Sequence, residues 1–177
     1  MKHLNWKDFL FDLLLMLAIM AIVSLPIFVA CHEQKQNEAK YGPGCIEINL
    51  YGTKYIVTEE ERTMLAKLVY LEAGSCSQKC QRAVVSVVLN RLESGYWGNT
   101  IEEVIFYPNA FSPTNLMSGC LPSQASYEVV DYVLRNGPTV PKEVRYFRAD
   151  YDHKWEGYAH YVTYDNVYFG FFVNGNH

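Results

Sequence analysis

The sequence has no excess of positive charge, since 15 Lys and Arg residues stand against 19 Asp and Glu residues and give a formal net charge of −4. A basic surface that binds nucleic acid is therefore not expected. The sequence also has no internal repeat, no glycine-rich phosphate-binding loop and no cysteine pair at C-x-x-C spacing. These absences argue against repeat proteins, nucleotide-dependent enzymes and zinc fingers.

Apolar residues, in contrast, are abundant. Hydrophobic residues make up 50% of the 177 residues and aromatic residues 15%. This composition supplies enough material for a packed core and excludes disorder as a general description. A chain of this length accommodates one modest globular domain with an appendage.

The appendage is the N-terminal apolar run over residues 13–30, LLLMLAIMAIVSLPIFVA. A helix of that length covers roughly 27 Å, close to the bilayer hydrocarbon thickness of about 30 Å. Lys2 and Lys7 precede the run, so the positive-inside rule favours a cytoplasmic N-terminus and an exported body. We therefore predict a signal-anchor over residues 1–31 that crosses the membrane once. Cleavage of a signal peptide and lipid attachment at Cys31 are the alternatives.

Residues 32–54 are polar and contain Gly42-Pro43-Gly44, which predicts a linker before a folded domain over residues 55–177. Four cysteines follow the apolar run, at positions 45, 76, 80 and 120. In an exported segment they favour disulfide bonds, whose pairing the sequence does not determine. Buried free thiols at Cys80 and Cys120 are the alternative. A four-cysteine metal site is disfavoured by the absence of tight pairs, and we expect no metal and no organic cofactor.

The folded domain is predicted to be α+β. A capping box, Thr58-Glu59-Glu60-Glu61, starts a helix that ends at Gly74. Further helices are predicted from Ser77 to about Leu92, where the helix is apolar on most sides and therefore central, from Thr100 to Phe106, and from Ser123 to Arg135. After Pro138, short aromatic and β-branched segments predict strands over residues 144–147, 160–164 and 167–172. Helices first and strands last are typical of α+β rather than alternating α/β proteins.

Glu72 interrupts the apolar face of the first helix of this domain. Leu65, Leu68, Val69 and Glu72 fall at positions i, i+3, i+4 and i+7, so the carboxyl projects from the face that packs on the next helix. Burial raises the pKa of a carboxyl group, as a general acid near neutral pH requires. An ion pair with Arg82 or Arg91, or an outward-turned Glu at a frayed helix end, would explain Glu72 without catalysis.

Aromatic residues are concentrated in the last third of the sequence, with eleven Tyr, Phe and Trp residues between Tyr146 and Phe172. Strand alternation buries about half of such residues in a small sheet. The others suit a cleft in which sugar rings stack on aromatic faces, or a membrane-surface or protein-binding patch.

Three segments occur in a distinctive order: MLAKLVYLEAGSCSQKCQRAVVSVVLNRL, NTIEEVIFYPNAFSP, and VRYF followed by a Trp and an aromatic terminal strand. In this order they resemble the cell wall hydrolase family, which includes the catalytic domain of spore cortex-lytic enzymes. The resemblance covers residues 59–172 and implies a lysozyme-like α+β scaffold with a small aromatic-rich antiparallel sheet. It also implies cleavage of peptidoglycan glycan strands between N-acetylmuramic acid and N-acetylglucosamine by lytic transglycosylase chemistry. Residues 55–177 then form the catalytic domain.

The resemblance places the catalytic acid/base at Glu72, the residue that the periodicity also singles out. Asn90 and Tyr146 are candidates for binding the sugar, and Phe111, Thr100 and Trp155 are weaker ones because capping or packing also explains them. This chain departs from the family pattern around the acid, where Leu71 precedes it and Ala73-Gly74-Ser75-Cys76 follows.

Together these inferences predict a single-pass membrane enzyme with an extracytoplasmic domain, whose partners are peptidoglycan strands and the membrane. A catalytically silent, anchored module that binds glycan or assembles a complex is the rival from another class. True hydrolysis, with water held by Asn90 or a loop Asp, is the alternative chemistry.

Overall fold

The computed structural model describes residues 6–41, 44–148 and 156–173. The chain divides into two compact units, Met1–Gly44 and Cys45–His177. In the first unit the described backbone is one long helix, α1 (Trp6–Tyr41), with Pro26 inside it. Within the described residues, no helix combines the length and the apolar character needed to cross a bilayer. The predicted membrane-spanning segment is therefore not supported.

The second unit begins with a β-hairpin that the sequence analysis did not predict. Strands β1 (Ile46–Leu50) and β2 (Thr53–Val57) pair antiparallel, with Ile46 opposite Val57 and Leu50 opposite Thr53. The hairpin lies mostly within residues 32–54, and α1 extends to Tyr41, so the predicted linker is wrong for most of its length. The compact unit starts at Cys45 rather than at residue 55.

Two helices carry the centre of the second unit. Helix α2 (Glu59–Ala73) starts at the predicted capping box, in which the Thr58 side chain accepts from the Glu61 N–H and the Glu61 carboxylate accepts from the Thr58 N–H. Helix α3 (Gln78–Ser94) begins after the N-cap Ser77 and ends at Gly95, whose φ of 69° lies in the left-handed region. It is buried over most of its length, which confirms the prediction that it is the central helix.

Three shorter helices follow. Helix α4 (Ile101–Phe106) is capped by Thr100, and helix α5 (Gln124–Asn136) is capped by Ser123. Between them lies a 3₁₀ segment, Ser112–Gly119, that was not predicted from the sequence. Helix α5 packs on α2, where Arg62 forms a bidentate ion pair with Asp131 at 2.6 and 2.9 Å.

The last elements form a three-stranded antiparallel sheet in the order β3 (Tyr146–Arg148), β5 (Val167–Phe172) and β4 (Tyr158–Tyr164). The register pairs Tyr146 with Gly170 and Tyr158 with Phe172, and a bulge interrupts β4 between His160 and Val162. The helices followed by a small antiparallel sheet confirm the α+β prediction.

Helix α3 separates two apolar cores. One face packs with α2, α4, α5 and the hairpin through residues such as Leu65, Leu68, Val88 and Leu89. The opposite face packs on the sheet through Cys80, Val84, Val87 and Phe169. Both faces of α3 are therefore buried, and α2, α4, α5 and β3 all contact it.

The predicted disulfides are not formed in this structure, in which Cys31, Cys76, Cys80 and Cys120 are free thiols. Cys80 and Cys120 are buried, as the alternative prediction for these two residues required.

Asn90 links α3 by hydrogen bonds to one segment before this helix in the sequence and to one segment after it. Its side chain is fully buried, donates to the carbonyls of Pro141 and Val144 at 2.8 and 2.9 Å, and accepts from the Tyr51 hydroxyl at 2.8 Å. A buried amide that makes three hydrogen bonds stabilises the fold mainly because its partners would be left unsatisfied without it.

We therefore expect Asn90→Ala to lower the free energy of unfolding by about 3 kcal/mol, since the buried Val144 carbonyl and the part-buried Pro141 carbonyl lose their donor. Urea denaturation measures this change. Asn136→Ala, at an exposed position at the end of α5, is the matched control and should change the free energy by less than about 0.5 kcal/mol. Equal stability of Asn90→Ala and the wild type would contradict this account of α3.

Candidate active site

Glu72 lies in the last turn of α2, where the helix faces the 3₁₀ segment and α3. Its neighbours on the same face, Leu65, Leu68 and Val69, are fully buried, and Glu72 itself is half-buried. The predicted periodicity is therefore correct for the helix face. The backbone after it is tight, because a Cβ at Gly74 would lie 2.4 Å from the carbonyl oxygen of Tyr70. Only a residue without a side chain fits that close approach without a shift.

The surroundings of Glu72 favour the protonated carboxyl group. Burial raises the pKa of Glu72 above its ordinary value of 4.5, and two weaker influences act in the other direction: a hydrogen bond from the Ser112 N–H and the positive charge of Arg91. Because burial prevails, the group keeps its proton at a higher pH than a solvated Glu does. A carboxyl group in this state can donate a proton to a bound substrate.

Arg91 is the charged neighbour of Glu72, and it is itself buried, with 5% of its surface exposed. Its guanidinium donates to the carbonyls of Arg145 and Ala110 at 2.8 and 3.2 Å. Burial lowers the pKa of Arg91 to about 10, partly offset by Tyr146, Glu72 and Tyr158. It therefore carries its positive charge at neutral pH and holds a fixed cation beside the carboxyl group.

A continuous row of aromatic rings, which we call the aromatic row, passes beside Arg91. Successive centroids lie 4.8 to 6.0 Å apart, most of them edge to face, in the order Tyr107, Tyr96, Trp97, Tyr146, Tyr158 and Phe172. The Arg91 guanidinium lies 5.2 Å from the Trp97 ring centroid and 5.7 Å from that of Tyr146. The row therefore joins the acid's cationic neighbour to exposed rings such as Tyr96. Amphipathic rings of this kind suit the apolar faces and hydroxyl groups of sugars.

Of the residues predicted to bind sugar, Tyr146 lies in the aromatic row. Burial and the neighbouring Tyr158 raise the pKa of Tyr146, whereas Arg91 lowers it. Asn90 is fully buried with its amide engaged, a placement that favours positioning of α3 over direct sugar contact. Phe111 is also buried, and its ring centroid lies 4.7 Å from the Arg91 guanidinium, so Phe111 packs against Arg91.

Thr100 and Trp155 complete the predicted set. Thr100 is exposed and caps α4 by accepting from the Glu103 N–H at 3.1 Å. The Glu103 carboxylate accepts from the Asn99 N–H at 2.6 Å. Trp155 lies outside the described residues, as do Asp150 and Asp152, so its predicted role stays a prediction.

Three features of the site were not predicted from the sequence. From the sequence, Arg91 was predicted only as a possible ion-pair partner of Glu72. A basic residue in the last turn of a buried helix could have indicated that Arg91 belongs to the site. Trp97 and Tyr158 are separated from Glu72 in sequence, and only the packing of β4 and of the segment after α3 places them beside Tyr146. The Ser112 N–H belongs to the backbone, so no side-chain pattern could reveal it.

The chain is similar to known proteins in sequence and in fold. A family model described as Cell Wall Hydrolase matches residues 76–170. The catalytic domain of the Bacillus cereus SleB protein has a similar fold, with a TM-score of 0.57 and 22% identity over 64% of this chain and 91% of that chain. The catalytic domain of the germination-specific lytic transglycosylase SleB from Bacillus anthracis gives a TM-score of 0.58 and 22% identity over 69% and 99% of the two chains. No curated protein matches.

The raised pKa of Glu72 gives a test that needs no substrate. Folding favours the protonated carboxyl, so this contribution to stability is fully present below the unfolded pKa and is lost as the pH rises through the folded pKa. Glu72→Gln carries no titrating group at this position. We expect the variant's stability relative to wild type to increase as the pH rises from below 4.5, the ordinary value for Glu, through the higher folded pKa of Glu72.

Chemical denaturation of both proteins across this range measures that difference. A relative stability that falls with rising pH would mean that the folded protein stabilises ionised Glu72, contrary to the structure.

Proposed function

The chain belongs to the cell wall hydrolase family, and from this premise we propose that it cleaves the glycan strands of bacterial peptidoglycan with Glu72 as its acid/base. The observation that carries the proposal is the half-buried carboxyl group of Glu72, whose pKa burial raises, beside the buried cation Arg91 and the aromatic row. Glu72 itself precedes residues 76–170, so its role rests on this geometry and on the resemblance around the end of α2.

The reaction that we propose is lytic transglycosylation between N-acetylmuramic acid and N-acetylglucosamine. One of the structurally similar proteins is named a lytic transglycosylase. Glu72 donates its proton to the glycosidic oxygen as the bond from the muramoyl C1 to that oxygen breaks. The ionised carboxylate then removes the proton from the muramoyl 6-hydroxyl while that oxygen bonds to C1 and forms a 1,6-anhydro ring. No water is consumed, and the enzyme regains its proton.

The electrostatics of the site fit both halves of this cycle. Burial favours the protonated group that starts the reaction, while the Ser112 N–H and Arg91 stabilise the carboxylate that is left after proton transfer. Among the described residues, Arg91 is the charged group that shifts the pKa of Glu72, and no second carboxylate does so. An internal nucleophile makes the carboxylate pair of ordinary glycosidases unnecessary.

Hydrolysis is the alternative chemistry for the same site, with a water molecule in place of the 6-hydroxyl. The alternative that is not an enzyme is a catalytically silent module that binds glycan. The aromatic row alone would be sufficient for such binding. The raised pKa of Glu72 favours an enzyme, because binding alone gives no reason to bury an acid. Since peptidoglycan lies outside the cytoplasmic membrane, the proposed activity also requires an extracytoplasmic second unit.

The decisive variant is Glu72→Gln. We expect it to reduce glycan cleavage by at least about 1,000-fold, because the amide keeps the shape of the side chain and cannot transfer a proton. Mass spectrometry of purified peptidoglycan incubated with each protein detects the products. Anhydro-muramoyl ends released by the wild type alone would support transglycosylation, and reducing ends released by the wild type alone would indicate hydrolysis.

Glu60→Gln is the matched control, since Glu60 is an exposed residue in the first turn of the same helix. It should cleave at the wild-type rate. Full activity of Glu72→Gln, with both variants folded, would exclude Glu72 as the acid/base. Glycan binding without cleavage by the wild type would instead support the silent module.

The aromatic row is tested at Tyr96, which is 48% exposed and therefore replaceable with little effect on folding. We expect Tyr96→Ala to weaken glycan binding roughly five-fold, about 1 kcal/mol, because one stacking surface is lost. Sedimentation with insoluble peptidoglycan measures the affinity. Tyr161→Ala, at a position that is 46% exposed in the β4 bulge, should bind as the wild type does. An equal loss in both variants would contradict a specific role for the row.

A further inference from the structure

A cluster of two thiols and a carboxylate lies at the start of α3, outside the site described above. The ligand atoms of Cys76, Cys80 and Asp165 all lie within 4.8 Å of one another. Cys80 is buried, Cys76 is half-buried and Asp165 is exposed. The three residues come from the loop after α2, the first turn of α3 and the turn between β4 and β5, so the cluster exists only in the folded protein.

Each part of this cluster is held in place by other hydrogen bonds. One Asp165 carboxylate oxygen accepts from both the N–H and the hydroxyl of Ser77, each at 2.8 Å. The buried Gln81 amide donates to the carbonyls of Ala73 and Cys76, each at 3.0 Å, and fixes the loop that carries Cys76. A ligand set that is ordered before metal binding loses little entropy when the ion arrives.

The chemistry of these three groups is that of a borderline-soft divalent cation. Thiolates select zinc over magnesium and calcium, which prefer sets made of oxygen ligands alone. Two adjacent thiols also suit a disulfide, but the Asp165 carboxylate within 4.8 Å of both sulfur atoms is a further ligand that only a cation uses.

We infer that Cys76, Cys80 and Asp165 bind a single zinc ion, with a water molecule at the fourth tetrahedral position. On binding, each thiol that ligates the ion releases its proton to solvent, and no electron is transferred. The Ser77 N–H and hydroxyl donate hydrogen bonds to the Asp165 carboxylate and so orient this ligand. The ion ties the β4–β5 turn to the loop that follows Glu72, which makes it a structural clamp next to the proposed active site.

Cobalt(II) is the probe, because its thiolate complexes absorb in the near ultraviolet and it takes tetrahedral zinc sites. The full chain is kept reduced with a phosphine and titrated with Co²⁺. We expect a charge-transfer band that saturates at one equivalent and is abolished by added Zn²⁺. Cys76→Ser, at a half-buried position that tolerates the change, should lose the band, and Asp165→Asn should bind at least about ten-fold more weakly.

Cys120→Ser and Cys31→Ser are the controls, since both remove thiols outside the cluster, and they should keep the band. Zn²⁺ should raise the thermal unfolding temperature of the wild type and of both controls but not that of Cys76→Ser. A folded, reduced wild type without a band would overturn the inference. A cobalt band that survives in Cys76→Ser would overturn it too. The inference would also fail if the wild type contained a Cys76–Cys80 disulfide and, once that disulfide was reduced, still bound no Zn²⁺.

Discussion

The proposed chemistry depends on the burial of one carboxyl group at the end of a helix. The apolar face of α2 turns Glu72 inward, and burial raises the pKa of that residue. The Ser112 N–H and Arg91 act in the opposite direction, because both stabilise the ionised carboxylate. Arg91 is in turn held by carbonyls of the segments before the 3₁₀ helix and at β3. Burial of Glu72 therefore has the largest influence on its protonation, and Arg91 of α3 acts against it.

The sequence predicted the helices of the second unit because their signals are local. Thr58, Ser77, Thr100 and Ser123 each cap the helix that follows, and the apolar faces of α2 and α3 are buried as their periodicities indicate. The β1–β2 hairpin was missed, although Ile46, Ile48 and Leu50 alternate. Its turn uses Tyr51 and Gly52 at φ values of 52° and 100°, and Tyr is not the residue that such turns usually contain. A membrane span was predicted over the N-terminal apolar run because of its hydropathy. The described helices do not support that span.

The site was predictable only in part, for a physical reason. Glu72 stands out because a charged group on an apolar face violates a local pattern. The contacts that set its chemistry connect residues far apart in sequence, such as Arg91 with Arg145 and Tyr146 with Tyr158. The Cys76, Cys80 and Asp165 cluster is of the same kind, because the turn between two late strands brings the carboxylate to the thiols. Side chains that act together through tertiary packing leave no periodic signal.

The protonation of Glu72 tests the central claim most directly. Carboxyl carbon NMR of protein labelled at Glu side chains, recorded as a titration of the wild type beside Glu72→Gln, identifies the resonance that belongs to Glu72. We expect this resonance to titrate above 4.5, the ordinary value for Glu, and the rate of glycan cleavage to fall as the pH rises through the same midpoint. A midpoint at or below 4.5 would mean that Glu72 is ionised at neutral pH like a solvated residue, and it would contradict the proposed acid.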